Sequence, residues 1–400
     1  MKSAVKPELP SPDEDALAQS RHLMTLIRAE IEAAGGWLSF ARYMELALYA
    51  PGCGYYSGGA RKFGAGGDFI TAPELTPLFG QTLAVQVAQL MQASTNQIIE
   101  VGAGTGLLAV DLLLELERQV CLPAQYSILE LSGELRVRQR ETLEAQVPHL
   151  AKYVVWLETL PAAFSGAVIA NEVLDVMPVH LVVLRDGMVF ERGVAFDAQS
   201  DSGSGRLCWA DEPANGRVLE AARTLDLPAP DADSDMEYVT EINLAARGWM
   251  TAWAERLVSG GMLLVDYGYP QAEYYLPARS TGTLMCYYRH RAHGDPFLWP
   301  GLNDITAFVD FTAVAEAAFA AGLDVLGYTN QAQFLFNCGI LECLARRGPE
   351  TGPDYIRAAR AVQRLTAPQE MGELFKILAV GRGITAPLAG FSRGDRLHTL

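Results

Sequence analysis

The chain has 400 residues, half of them hydrophobic and a fifth charged, which suits a globular enzyme with a large core. Its 47 acidic residues against 31 basic ones leave a formal charge of −16, which repels nucleic acid unless the basic residues cluster. The first twenty residues mix prolines with acids and carry no apolar h-region, and no apolar run approaches the ~18 residues of a membrane span. Neither a targeting leader nor a membrane span is expected, and the expected location is cytoplasmic.

Residues 17–34 carry Leu23, Leu26, Ile27 and Ile31 at helical spacing, and Gly35-Gly36 ends that helix. A second helix is expected over 38–49, with Ser39 as N-cap and Pro51-Gly52 as the stop. Glycine-rich stretches at 52–59 and 64–74 read as ordered loop. Within the second, Thr71 and Glu74 have capping-box spacing, with Pro73 in the first turn. Two readings stand there: a plain helix start, or a helix start that faces a cofactor.

From residue 97 the pattern alternates strand and helix, which predicts a parallel sheet. Strands are expected at 98–101, 126–129, 153–156, 167–170 and 262–265, with 324–328 and 375–380 closing the sheet. Four of them, at 98–101, 126–129, 167–170 and 262–265, run into glycine or polar residues at their carboxyl ends. That is where open α/β sheets bind ligands. Between the fourth and fifth strands lies a long insertion. Asp186-Gly187 marks a hairpin in it, residues 197–236 read as exposed loops around a helix at 216–225, and 237–257 reads as a helix feeding the fifth strand.

The chain is organised around Glu100-Val101-Gly102-Ala103-Gly104-Thr105-Gly106, a strand end followed by a glycine turn and a helix. No lysine follows, as a phosphate-cradling P-loop would require, and the third glycine of a dinucleotide fingerprint falls at Leu107. An acid two residues before G-x-G-x-G favours a cationic cofactor such as S-adenosylmethionine over a nucleotide. A purely structural glycine turn remains the alternative.

Glu130, 24 residues beyond Gly106, follows the second strand where an acid can grip ribose hydroxyls. Its plainer role is a solvated carboxylate at a helix start. After the fourth strand comes Asn171-Glu172-Val173-Leu174-Asp175. If that piece is helical, Glu172 and Asp175 share a face on which they could pair with a guanidinium or take a proton from a nucleophile. Residues 285–296, with Arg289, His290, Arg291 and His293, form the densest basic and aromatic patch. It would either steer an acidic partner or pair with the protein's own carboxylates. The six cysteines form no C-x-x-C pair or zinc spacing, so no metal is expected.

Together, Gly67–Glu74, Glu100–Gly106, Asn171–His180, Val265–Gly268, Asp304–Phe311 and Met371–Lys376 occur in the order found in the MidA family, which the chain resembles over nearly its whole length. The resemblance implies a class I, Rossmann-like S-adenosylmethionine methyltransferase with a mostly parallel seven-stranded sheet. It divides the chain into an N-terminal helical cap with a cofactor-covering loop over 1–96 and a catalytic domain over 97–400. The long insertion, about 179–240, is expected to be a lid or substrate-recognition subdomain tethered to the sheet.

By position, Gly102, Gly104 and Gly106 would line the methionine part of the cofactor and Glu130 its ribose. Thr71, Glu74, Glu100 and Asn171 complete the expected cofactor set, with Glu172 and Asp175 facing the substrate. The implied activity is protein arginine N-methylation, with a complex I-type subunit as the partner the mitochondrial relatives suggest. The alternatives are a small-molecule O- or N-methyltransferase and an assembly factor that binds the cofactor without turnover. Oligomeric state is left open, a homodimer included.

Overall fold

Runs of Ile, Val, Leu and Ala, each closed by a polar residue or glycine, form one large sheet. In the computed structural model, which describes residues 9–58, 70–198, 205–228 and 237–400, these are β1 (Gln97–Val101), β2 (Gln125–Leu129), β3 (Val154–Leu157), β4 (Phe164–Asn171), β5 (Leu257–Tyr269), β6 (Asp324–Asn330) and β7 (Phe375–Arg382). Their order across the sheet is β6-β7-β5-β4-β1-β2-β3. A two-residue strand, Val309–Asp310, adds to β5 in parallel. The pairs β4–β5, β4–β1, β1–β2 and β2–β3 are parallel, whereas β7 runs antiparallel to both β5 and β6.

Burial along β4, β5 and β7 is nearly continuous rather than alternating, so both faces of the sheet are covered. The helices Leu78–Ala93, Leu107–Arg118 and Ile340–Ala345 supply side chains to that core. The first two approach closely because Gly80 has no side chain: a Cβ there would stand 2.6 Å from Asp111 Cβ.

The chain divides into two units. The sheet belongs to the one made of residues 70–174, 247–271 and 309–400, and the other gathers 1–69, 175–246 and 272–308. Within the latter, five strands form an antiparallel sheet in which Met188–Asp197 pairs with Leu38–Ser39, His180–Arg185 and Arg206–Pro213. The helices Glu14–Ala33 and Phe40–Tyr49 share a core with that sheet through Leu23, Ile27, Phe40, Tyr43, Leu181 and Val194. Trp37 Nε1 donates to the Ala210 carbonyl at 2.9 Å.

The N-terminal helices group in one unit with the insertion after β4 and with a second insertion, 272–308. Several expectations change. Residues 237–257 are not one helix: Tyr238–Ile242 is a strand paired with His180–Arg185, and the helix runs Leu244–Arg256. Leu38 and Ser39 are extended before Ser39 caps the second helix. The hairpin turn at Asp186-Gly187 forms with φ values of +52° and +70°. Parts of the expectations for 52–59, 64–74 and 197–236 fall on residues 59, 64–69, 199–204 and 229–236, which lie outside the described residues.

Candidate active site

β1 pairs with β2 on one side and β4 on the other, so the chain leaves β1 in one direction and returns on its far side at β4. This is the switch point of the sheet, and the carboxyl ends of β1, β2 and β4 frame it.

β1 ends at Val101, and the next five residues lead into the twelve-residue helix Leu107–Arg118. Gly102, Gly104 and Gly106 take left-handed backbone, with φ of +65°, +51° and +84°. An L side chain is strained there by roughly 1–2 kcal/mol. Space is also short: a Cβ on Gly102 would stand 3.1 Å from Val173 Cγ2, and one on Gly106 3.2 Å from Gln139 Cα. Gly106 is the N-cap and brings no side chain to the first turn. The first N–H groups of the helix therefore lack both an intrahelical acceptor and a capping oxygen.

Glu100 is the fourth residue of β1, two before Gly102. It is 2% exposed, and its Oε2 accepts from the Tyr126 hydroxyl at 2.7 Å. Burial pushes its carboxyl up to about 7, the Tyr126 bond opposes the rise, and Glu130 adds to it.

Glu130 follows β2 and is also buried. One oxygen accepts from the Ser132 N–H at 2.9 Å and the other from the Gln139 amide at 2.9 Å. Burial raises its pKa, and those two bonds hold it back. The next residue, Leu131, is 77% exposed, an apolar surface beside a buried carboxylate.

Gln139 was not expected at the site. It is fully buried, donates to the Gly104 carbonyl at 3.1 Å as well as to Glu130, and accepts from Trp156 Nε1 at 2.9 Å. It sits on the polar helix Gly133–Gln146, where sequence alone gives a buried glutamine no distinguishing mark.

At the end of β4 the Asn171 Nδ2 donates to Glu172 at 3.2 Å. Asn171 Oδ1 is buried and has no hydrogen-bond partner among the described residues. Glu172 takes left-handed backbone at φ +52°, and its N–H donates to the Val265 carbonyl of β5 at 2.8 Å. Residues 172–178 form turns and bends, so the expected helical face of Glu172 and Asp175 does not arise. Asp266, which sequence reading placed only at a strand end, accepts from the Leu174 N–H at 2.9 Å and the Val173 N–H at 3.2 Å.

Asp175 belongs to the other unit. There its carbonyl accepts from the Ala307 N–H at 2.9 Å, and its charge, with that of Asp304, helps raise the Tyr56 and Tyr287 hydroxyls after burial. Thr71 and Glu74 form the expected capping box on the single turn Ala72–Leu75, which packs against Leu78–Ala93 and Leu107–Arg118.

Among the described residues, the cluster of strand ends thus offers the uncapped first amides of the helix Leu107–Arg118, a buried carboxylate with lone pairs to spare and an amide oxygen without a hydrogen-bond partner. That donor set fits a nucleoside with a free diol and a cationic amino-acid tail. It does not fit a polyphosphate, for which no lysine follows the loop.

Residues 82–329 match a family model described as "Putative S-adenosyl-L-methionine-dependent methyltransferase". A Burkholderia thailandensis superfamily member, solved bound to S-adenosyl-homocysteine, is 52% identical with a TM-score of 0.92, covering 98% of this chain and 100% of that one. The Drosophila melanogaster protein arginine methyltransferase NDUFAF7 homolog, mitochondrial, is 31% identical over 97% of this chain and 93% of its own length. The human protein arginine methyltransferase NDUFAF7, mitochondrial, is 27% identical over 90% of this chain and 82% of its own. The fly and human relatives are named mitochondrial, which overturns the expectation of a cytoplasmic location.

Proposed function

The chain belongs to the MidA-type family of S-adenosylmethionine-dependent methyltransferases, and from that premise we propose that it methylates an arginine side chain of a protein. Relatives aligned over almost the whole chain carry that activity in their names. The observation that carries the reading here is Glu172. Its carboxylate is held at the end of β4, beside the glycine turn's own strand, by backbone that a glutamate adopts only at a cost. Backbone strain of this kind is enriched at functional sites.

S-adenosylmethionine, when bound, supplies an electrophilic methyl group on a sulfonium. In the proposed arrangement the amides after Gly104 and Gly106, with Asn171 Oδ1, hold the amino-acid part, and Glu130 holds the ribose. Glu100 acts from β1, bracing the loop through Tyr126. Thr71 and Glu74 fix the turn that precedes Leu78–Ala93 and are proposed to border the cofactor. Glu172 would orient a guanidinium and accept its proton, since a carboxylate pairs with arginine in a fork. Asp175, among Tyr56, Tyr287 and Asp304 in its own unit, has the acidic and aromatic company that a cation favours.

The test is incubation of the protein with methyl-labelled cofactor and a soluble extract, followed by hydrolysis to amino acids. Label in methylarginine from a protein band supports the proposal, and a complex I-type subunit is the first candidate acceptor to try. Label confined to the low-mass fraction contradicts it. Glu172→Gln should abolish the label while leaving affinity for S-adenosyl-homocysteine within about threefold.

A further inference from the structure

Gln139 connects three strand ends that are far apart in sequence. Its amide nitrogen donates to the Gly104 carbonyl in the turn after β1 and to the Glu130 carboxylate after β2. Its amide oxygen accepts from Trp156 of β3. A side-chain amide can flip, exchanging its oxygen and nitrogen, but the indole N–H only donates. Trp156 therefore fixes the sense of the Gln139 amide, with the oxygen towards the indole and both N–H groups towards Gly104 and Glu130.

This arrangement has two consequences for Glu130. Its Oε1 is taken on one side by the Ser132 N–H and its Oε2 by Gln139, so the carboxylate is held from both ends and cannot turn. Donors on both oxygens also favour the ionised form against burial. Gln139 ties the same carboxylate to the glycine turn, so the sugar-binding acid and the loop backbone hold a fixed separation.

We propose that Gln139, its amide set by Trp156, is the positioning residue that aims Glu130 at the cofactor's ribose hydroxyls and gauges the gap between that acid and the glycine turn. This rests on Glu130 meeting the ribose, and the test below separates the two claims. Gln139 itself does not touch the cofactor in this account. It acts through Glu130.

The experiment is calorimetric titration of the full-length chain with S-adenosyl-homocysteine and with its 2′-deoxy and 3′-deoxy analogues, for the native protein and for Gln139→Met. In the native protein, loss of the hydroxyl that Glu130 accepts from should weaken binding by about tenfold or more, as expected for a hydrogen bond to a charged group. Gln139→Met should weaken the parent compound by a similar factor yet change that deoxy analogue by less than about threefold, because the bond it lacks is the one the substitution spoils.

Equal weakening of the parent and both analogues by Gln139→Met would mean a merely structural residue and would overturn the proposal. So would no weakening at all. If the native protein binds both deoxy analogues as tightly as the parent, the ribose assignment of Glu130 falls first and the Gln139 proposal with it.

Trp156→Phe guards against misfolding of the methionine variant, since it keeps Gln139 and an aromatic ring while removing the indole N–H that fixes its amide. It should reproduce the same selective pattern at about a threefold level. Loss spread evenly over the three compounds would count against the proposal.

Discussion

The Asp266 carboxylate, three residues before the end of β5, accepts from the Leu174 N–H at 2.9 Å, and the neighbouring Val173 N–H reaches the same oxygen at 3.2 Å. A residue 92 positions away thus shapes the turn that presents Glu172. The Leu174 amide is buried and the Val173 amide partly so, and removing the acceptor leaves both donors without one. Asp266→Ala should cost about 2–4 kcal/mol in urea unfolding, at about 1–3 kcal/mol per orphaned donor less partial relaxation. It should lower turnover more than cofactor affinity. Unchanged turnover in a folded variant would show that the turn does not depend on this acid.

Glu172 holds φ at +52°, where glycine is at ease. Glu172→Gly should therefore raise the unfolding midpoint, by the equivalent of about 1 kcal/mol, while methyl transfer is lost. This is the trade expected where function keeps a strained residue in place. A variant less stable than the native protein would mean that the Glu172 side chain contributes more by packing than its backbone costs.

Glu100 supplies a pH-dependent test. Its carboxyl rises from 4.5 to about 7 on burial, so the folded protein keeps a proton that the unfolded chain releases. Stability from this group is full below about pH 4.5 and is lost as pH rises through about 7, on the order of 3 kcal/mol in all. Glutamine has no proton to release and can still accept from Tyr126. Glu100→Gln should therefore lose less of its urea midpoint than the native protein between about pH 5 and pH 8. Asp111, also pushed to about 7 by burial, adds a slope common to both proteins and cancels in the comparison. Identical losses would place the Glu100 carboxyl in the ordinary range.

Gly106 combines φ of +84° with a Cβ position 3.2 Å from the Gln139 backbone. Gly106→Ala should destabilise by about 1–2 kcal/mol from backbone strain alone. It should weaken S-adenosyl-homocysteine at least tenfold by displacing the helix start. Calorimetry that returns native affinity would remove Gly106 from the binding turn.

Local chemistry made much of this legible in the sequence. The β-branched runs of β1, β2 and β4 end in polar residues or glycine, Asp186-Gly187 turns its hairpin, and Thr71 and Glu74 close their capping box. What escaped depends on distant pairing. Tyr238–Ile242 is short and runs straight towards a true helix, so only its registry with His180–Arg185 makes it a strand. Leu38 and Ser39 become extended by pairing with Val194 and Gly193. Gln139 looks like any polar residue on a solvated helix until three other segments close over it. Glu172 and Asp175 would share a face only on a helix, and residues 172–178 instead run through turns and bends, with the Asp266 carboxylate accepting from the Val173 and Leu174 N–H groups.

The central claim places the cofactor at the carboxyl ends of β1, β2 and β4, and a crystal structure of this chain with S-adenosyl-homocysteine tests it most directly. The account predicts density for the amino-acid portion against the backbone of Gly102 to Gly106, with a ribose hydroxyl within hydrogen-bonding distance of a Glu130 oxygen. Density elsewhere on the sheet, or a ribose that leaves Glu130 bonded only to Ser132 and Gln139, would contradict it.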